Sequence, residues 1–369
     1  MHLIDPGSAG EHVQRAATLL QSALGTVPVA AGRASGRVNL IGEHTDYNRG
    51  LCLPLALRHA TYAVVAPRGD HLVRAVSTLA PGTYAGDPAT ATGWAAYAAG
   101  VVWALREEGF DIPGIDMAIA SSVPVGAGLS SSAALSCAVA MAVAALVGPI
   151  DPDVLLRATI RAENERAGAP TGGMDQTVGL LATPGEALLL DFADGSRTPV
   201  TWAPPELALL VIDTCASHEL SDGQYAARRA DCEAAAKALG VGSLRDVDEI
   251  DLQSAHGPWL PLARHVVTEN TRVEEFVQAV ATGEWAEAGA LMTSSHESLR
   301  DDFAVSCEQL DVAVETALEH GALGARMTGG GFGGSAIALL PRDRLGEAAD
   351  AVLAAYDRRH WRKPRFLLT

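Results

Sequence analysis

The sequence predicts an α+β protein of two domains, and three observations carry that prediction. The chain has 369 residues, 48% hydrophobic and 19% charged, which is length enough for two ordinary domains and too apolar for a disordered chain. Its first half alternates short β-rich apolar runs with helical stretches. From Glu186 the pattern changes to buried-strand runs followed by long helices with polar faces. That change puts the boundary near 190, dividing the chain into 1–190 and 191–369.

Taken in order, Arg37–Ile41 alternates as a strand does, and Thr61–Ala66 is a β-rich run ended by Pro67. Ile115–Ala120 is a further strand, after Pro113-Gly114. A Gly/Ser loop then opens the Ala-rich stretch Ala133–Val147, whose 15 or so residues fall short of a bilayer span and read as a buried helix. Asp151-Pro152-Asp153 offers a cap, a first-turn proline and an acid at the positive end of the helix dipole, with Gly168 as the stop. A glycine-rich loop follows over 168–173. Ala187–Phe192 and Leu207–Ile212 read as buried strands, and Ser221-Asp222 as the cap of a helix to about Leu239. Further helices are expected over roughly 262–281, 284–298 and 308–320. Gly324–Met327, a glycine run and Ser335–Leu340 make a strand pair near the end.

The balance of 27 Lys+Arg against 44 Asp+Glu, a net charge of −17, excludes a nucleic-acid or anionic-membrane surface, which needs clustered cations. A small anionic ligand needs only a few local donors. The N-terminus lacks the basic and apolar regions of a secretory signal. Five cysteines without a C-x-x-C suit reduced thiols, so a cytoplasmic enzyme is expected. Eleven scattered histidines and no H-E-x-x-H argue against a zinc site.

Four loops concentrate the chemistry. Pro124–Ala134 places Gly126, Gly128, Ser130, Ser131 and Ser132 between a strand and a helix, where glycines admit a ligand to the backbone and helix-start amides attract an anion. It is neither a Walker A motif nor a dinucleotide fingerprint. Thr328–Ser335 is a second glycine cluster, either a tight turn or a loop that lies against a nucleotide. Gly36–Asn48 packs Arg37, Glu43, His44, Asp46 and amides into one segment, a density suited to the directional hydroxyls of a sugar, or to a self-capped polar loop. Thr171–Gln176 sets Asp175 in the first turn of a short helix, and Glu163, on the preceding helix, is within reach of a metal held by the serine loop.

Together these segments resemble the GHMP small-molecule kinases, and within them the galactokinases. Gly36–Asn48 is close to the stretch GRVNLIGEHTDYN, Pro124–Ala134 to PxGxGLSSSAA, Gly173–Gln176 to G-x-MDQ, and Arg326–Gly334 to the superfamily's third glycine motif. Ser217–Cys232, His265–Asn270 and Ser295–Arg300 extend the resemblance. Ser35, Thr171, Gly173 and Ala96 depart from it, standing where Pro, Cys, Ile and Asn are usual.

The resemblance implies two domains, each a mixed or antiparallel sheet flanked by helices, with the active site in the interdomain cleft. It implies a phosphotransferase using ATP and Mg²⁺ to phosphorylate the C1 hydroxyl of galactose, the first committed step of galactose breakdown. It makes Arg37 and Asp175 the catalytic pair, with Asp175 either a general base or an electrostatic anchor. Glu43, His44, Asp46, Gly173 and Tyr225 would line the sugar pocket, Trp94 would pack on adenine, the serine loop would cradle phosphates, and Ser132 and Glu163 would stand near Mg²⁺. The expected form is a monomer. The competing readings are a kinase of N-acetylgalactosamine or a related sugar, and a non-enzymatic galactose sensor on the same scaffold.

Overall fold

The computed structural model describes residues 2–216, 221–248, 252 and 257–369. A first sheet is built from β1 (Ala30–Asn39), β2 (Leu51–Cys52), β3 (Pro54–Arg68), β4 (Val73–Ser77), β5 (Thr83–Gly86), β6 (Gly114–Ser121), β7 (Ala187–Asp191) and β8 (Ser196–Val200). Their order is β2-β7-β3-β6-β4-β5, with β1 beside β3 and β8 beside β7. The β4–β6 pair is parallel and the others antiparallel, so the sheet is mixed.

The strand expected to end at Pro67 runs through it to Arg68. Proline is tolerated there because β1 begins at Ala30, opposite Val65, so at Pro67 the strand has a neighbour on one side alone. The Ala-rich stretch forms α3 (Ser131–Val147), buried as expected along most of its length. Small residues matter on both sides of this contact. A Cβ added at Gly32 of β1 would lie 2.2 Å from the Ala138 carbonyl oxygen, so helix backbone and strand backbone nearly touch.

The second sheet has order β10-β11-β9-β12, antiparallel throughout, from β9 (Leu207–Asp213), β10 (Gly324–Thr328), β11 (Ser335–Pro341) and β12 (Arg365–Leu368). Long helices cover it, including α6 (Ser221–Leu239), α7 (Leu260–Thr282), α8 (Trp285–Asp301) and α9 (Glu308–Glu319). The capping expected of the Ser221-Asp222 side chains, with residues 217–220 ahead of them, lies outside the described residues. A mixed sheet and an antiparallel sheet, each with helices, give the two-part architecture that the resemblance implies. The chain crosses from one sheet to the other between Val200 and Leu207, so we propose 201–206, rather than 190, as the division. Among the described residues no helix is long and apolar enough to cross a membrane.

Candidate active site

Thirteen of the fourteen side chains and glycines expected at the site line one cleft of about 640 Å³, the exception being Gly173. The cleft lies where Gly36–Asn48, the serine loop, the Thr171–Asp175 turn, α6 and the third glycine loop converge.

Its centre is Arg37. A bulge interrupts the β1–β3 register between Ser35 and Arg37, and Gly36 at the bulge sits so close to the Leu129 carbonyl that a Cβ would be 2.8 Å from it. The bulge re-aims the next side chain. Arg37 Nη1 donates to the Gly128 carbonyl at 2.6 Å, and Nη2 lies 2.8 and 3.0 Å from the two carboxylate oxygens of Asp175. Asp175 is in the first turn of the short helix α5 (Met174–Leu181), as expected.

The serine loop descends from β6 and opens α3. Gly126 (φ 74°) and Gly128 (φ 69°) are left-handed, and so is Ser130 (φ 61°), which is uncommon for a serine. The Ser130 hydroxyl is buried with no hydrogen-bond partner among the described residues, in the position where an anion's oxygens would meet the helix start. Behind it, α4 (Pro152–Arg161) does not run on regularly to Gly168: Ala162–Ala167 is a π-helical turn ended by Gly168 in the left-handed conformation. Such a turn is a local widening that re-aims side chains. It carries Glu163, which is bonded by Ser132 and by Gln176 and whose carboxyl is pushed up to about 7 by burial, against those hydrogen bonds.

On the other side of Arg37, Asp46 stands against the Thr171 turn; a Cβ at Gly172 would be 2.0 Å from its carboxylate oxygen. Burial, with Asp175 and Glu43 adding to it, raises the Asp46 carboxyl to about 6. Gly173 opens α5 with φ 98°, and its missing side chain faces Ile160 rather than the cleft. The wall is made beside it by Thr171 and Met174. Tyr225 closes this end, its ring 5.5 Å from that of His44 and 5.7 Å from that of Tyr47.

His44 is buried, and desolvation pushes its imidazole down to about 3, so the ring is neutral. Its Nε2 is 3.2 Å from the Gly330 carbonyl, which can only accept, so Nε2 carries the proton and Nδ1 accepts from the Tyr47 hydroxyl at 2.7 Å. Glu43 is equally enclosed. One carboxylate oxygen accepts from the Gly329 amide at 2.5 Å and the Thr328 hydroxyl at 3.2 Å, and the other from Asn39 and, at 3.4 Å, Arg326. Burial raises its carboxyl, while Arg326 and Arg37 pull the other way. Thus much of the polar density of Gly36–Asn48 joins the two halves of the molecule. Asn39, His265 and Glu269 take part in that junction; all three lie in segments that carry the resemblance, but the sequence assigns none of them a role.

At the far end Trp94, first residue of α2 (Trp94–Glu107), shares the wall with Tyr97, Leu79 and Leu135. Together these residues form an apolar recess next to the helix-start amides. Leu79 comes from the loop after β4 and has no motif to announce it.

Three family models match the chain: the galactokinase galactose-binding signature at residues 20–67, the GHMP kinase N-terminal domain at 96–182 and the GHMP kinase C-terminal domain at 276–358. A galactokinase of Mycobacterium bovis is 48% identical over 340 residues, covering 88% of this chain and 94% of the relative. One of Streptomyces coelicolor is 44% identical over 363 residues, with 92% of each chain covered. Among solved structures, Lactococcus lactis galactokinase complexed with galactose superposes with a TM-score of 0.91 at 29% identity, over 95% of this chain and 96% of that one. The chain is therefore a phosphotransferase, and it belongs to the galactokinase family of the GHMP kinases.

Proposed function

We propose that the cleft transfers the γ-phosphoryl group of ATP to the C1 hydroxyl of α-D-galactose, giving galactose 1-phosphate and ADP. The observation that carries this is the double attachment of Arg37, to the Gly128 carbonyl of the anion loop and to the Asp175 carboxylate. One guanidinium thereby spans the place where phosphate would arrive and the place where the hydroxyl would be held. Phosphoryl transfer needs alignment and charge neutralisation more than covalent help.

In this reading the amides at the start of α3 and the hydroxyls of Ser130, Ser131 and Ser132 hold the phosphates, and Trp94 and its apolar neighbours hold adenine. Asp46, His44, Tyr225 and the Thr171 turn surround the sugar, with Glu43 at its edge. Asp175 accepts a hydrogen bond from the C1 hydroxyl and orients it, and Arg37 stabilises the charge on the transferring group. Among the described residues no group of three His, Cys, Asp or Glu could hold a metal alone. The hard oxygens of Ser132 and Glu163 at the phosphate loop instead fit Mg²⁺, which takes one or two protein ligands and completes its shell with phosphate and water. When bound, the ion would neutralise phosphate charge. A monomeric cytoplasmic enzyme is part of the same proposal.

An ADP-release assay over galactose, N-acetylgalactosamine and glucose, with and without Mg²⁺, tests it. Galactose-dependent, Mg²⁺-dependent release is expected. Equal rates with glucose, or no release with galactose, would contradict it.

A further inference from the structure

Arg326, in the middle of β10, is completely buried and is among the largest side chains so enclosed in the described residues. A guanidinium in that setting demands carboxylates, and two buried ones face it from opposite halves of the molecule. Glu43, from the loop after β1, has an oxygen 3.4 Å from both Nη1 and Nη2, and Glu269 of α7 has one 3.8 Å from Nη2. Both contacts are long, and among the described residues Nε and Nη2 find no hydrogen-bond partner. A buried pair of this quality is poor support for stability, since desolvation offsets its Coulomb attraction.

What the arrangement does supply is direction. Glu269 is already held by Arg272 at 2.7 Å, Ser295 at 2.6 Å and the Gly42 amide at 2.9 Å. Glu43 offers Arg326 the oxygen that also accepts from the Asn39 side-chain amide. Its other oxygen receives the amide of Gly329, and Gly329 (φ 86°) lies so near the serine loop that a Cβ there would be 2.8 Å from the Gly128 carbonyl oxygen. That carbonyl is the one Arg37 bonds. A continuous run of contacts leads from Arg326 through Glu43, Gly329 and Gly128 to Arg37 and Asp175.

We propose that Arg326 is a positioning residue for phosphoryl transfer: it sets the Glu43 carboxylate, which pins Gly329 against Gly128 and thereby keeps Arg37 aimed at Asp175. The inference rests on the proposed function above, and wild-type galactose-dependent ADP release tests that reading separately. Arg326 is fully buried and does not line the cleft, so its loss acts on geometry. Thr328 serves the same end more locally, its hydroxyl donating to Glu43 at 3.2 Å and accepting from the Asn39 backbone N–H at 2.8 Å.

Steady-state kinetics of Arg326→Met, Arg326→Lys and Thr328→Val, with circular dichroism to establish folding, decide it. In folded Arg326→Met, kcat should fall about 100-fold, the effect of a misplacement on the order of 1 Å, with galactose and ATP KM each changed less than about tenfold. Arg326→Lys, which keeps the charge without the fork, should recover part of kcat. If Arg326→Met does not fold, the uncharged Thr328→Val decides alone, with kcat about tenfold down expected at near-wild KM. Folded Arg326→Met with wild-type kcat, or Thr328→Val with unchanged kcat where the former is unfolded, would overturn the proposal.

Discussion

The Arg37 guanidinium sits 2.8 Å from Asp175 through Nη2 and 2.6 Å from the Gly128 carbonyl through Nη1. A residue from the first sheet's bulged edge therefore fixes the spacing between the phosphate loop and the carboxylate on α5. The fork geometry of arginine is what makes both contacts simultaneous.

Arg37→Lys keeps the charge but cannot make both contacts, so turnover should drop about 100-fold with the protein still folded. Steady-state kinetics at saturating ATP and galactose check this. A wild-type rate would reduce Arg37 to a strand residue that happens to be polar.

Gly172 leaves no room for a side chain beside Asp46, with a Cβ 2.0 Å from its carboxylate oxygen. Gly172→Ala should push Asp46 out of the sugar pocket. The galactose KM is expected to rise tenfold or more, on the order of a lost charged hydrogen bond, while the ATP KM stays nearly constant. Equal changes in both would point to general disorder of the cleft instead.

Because burial raises Asp46 to about 6, it gains a proton as the pH falls through 6 and loses acceptor capacity for sugar hydroxyls. The kcat/KM for galactose should therefore decline below pH 6, and Asp46→Asn should flatten that limb. A limb unchanged in the variant would assign the titration to another group.

His265 is buried beside the sugar segment, its Nε2 donating to the Glu43 carbonyl at 3.1 Å and its Nδ1 accepting from the Ser298 hydroxyl at 3.0 Å. Burial holds it down at about 4, so from about pH 6.5 to 4 the unfolded chain takes up a proton that the folded chain does not. Its linkage makes stability fall with pH in that window. Relative to His265→Gln, wild type should lose about 2 kcal/mol between pH 7.5 and pH 5 in urea unfolding. A constant difference between the two proteins would contradict the buried neutral ring.

Legibility differed by the kind of constraint. The helix Ser131–Val147 and the β10–β11 pair were readable because a buried helix and a glycine-punctuated hairpin each follow from local residues. β12 was not, since four residues after Pro364 are too few for a period, and its partner β9 lies some 150 residues away in sequence. The π-helical turn at Glu163 was also invisible: its sequence is ordinary helix former, and the widening appears once the helix packs. In the site, glycine loops and charged clusters located the cleft, yet Glu43 and His44 read as sugar ligands alone. Their bonds to Gly329 and Gly330 come from a loop nearly 290 residues on, which no local pattern encodes. Gly173 enters the expected sugar pocket through the resemblance alone, and the glycine that meets Asp46 is its neighbour Gly172, a packing relation that no local pattern encodes.

The most direct test of the account is Asp175→Asn, which preserves shape and removes the charge facing Arg37. ATP affinity, measured by calorimetry, should remain within a few fold of wild type, while galactose-dependent turnover falls by about two to four orders of magnitude. Turnover near the wild-type rate would remove Asp175, and with it the Arg37 bridge, from the chemistry of this cleft.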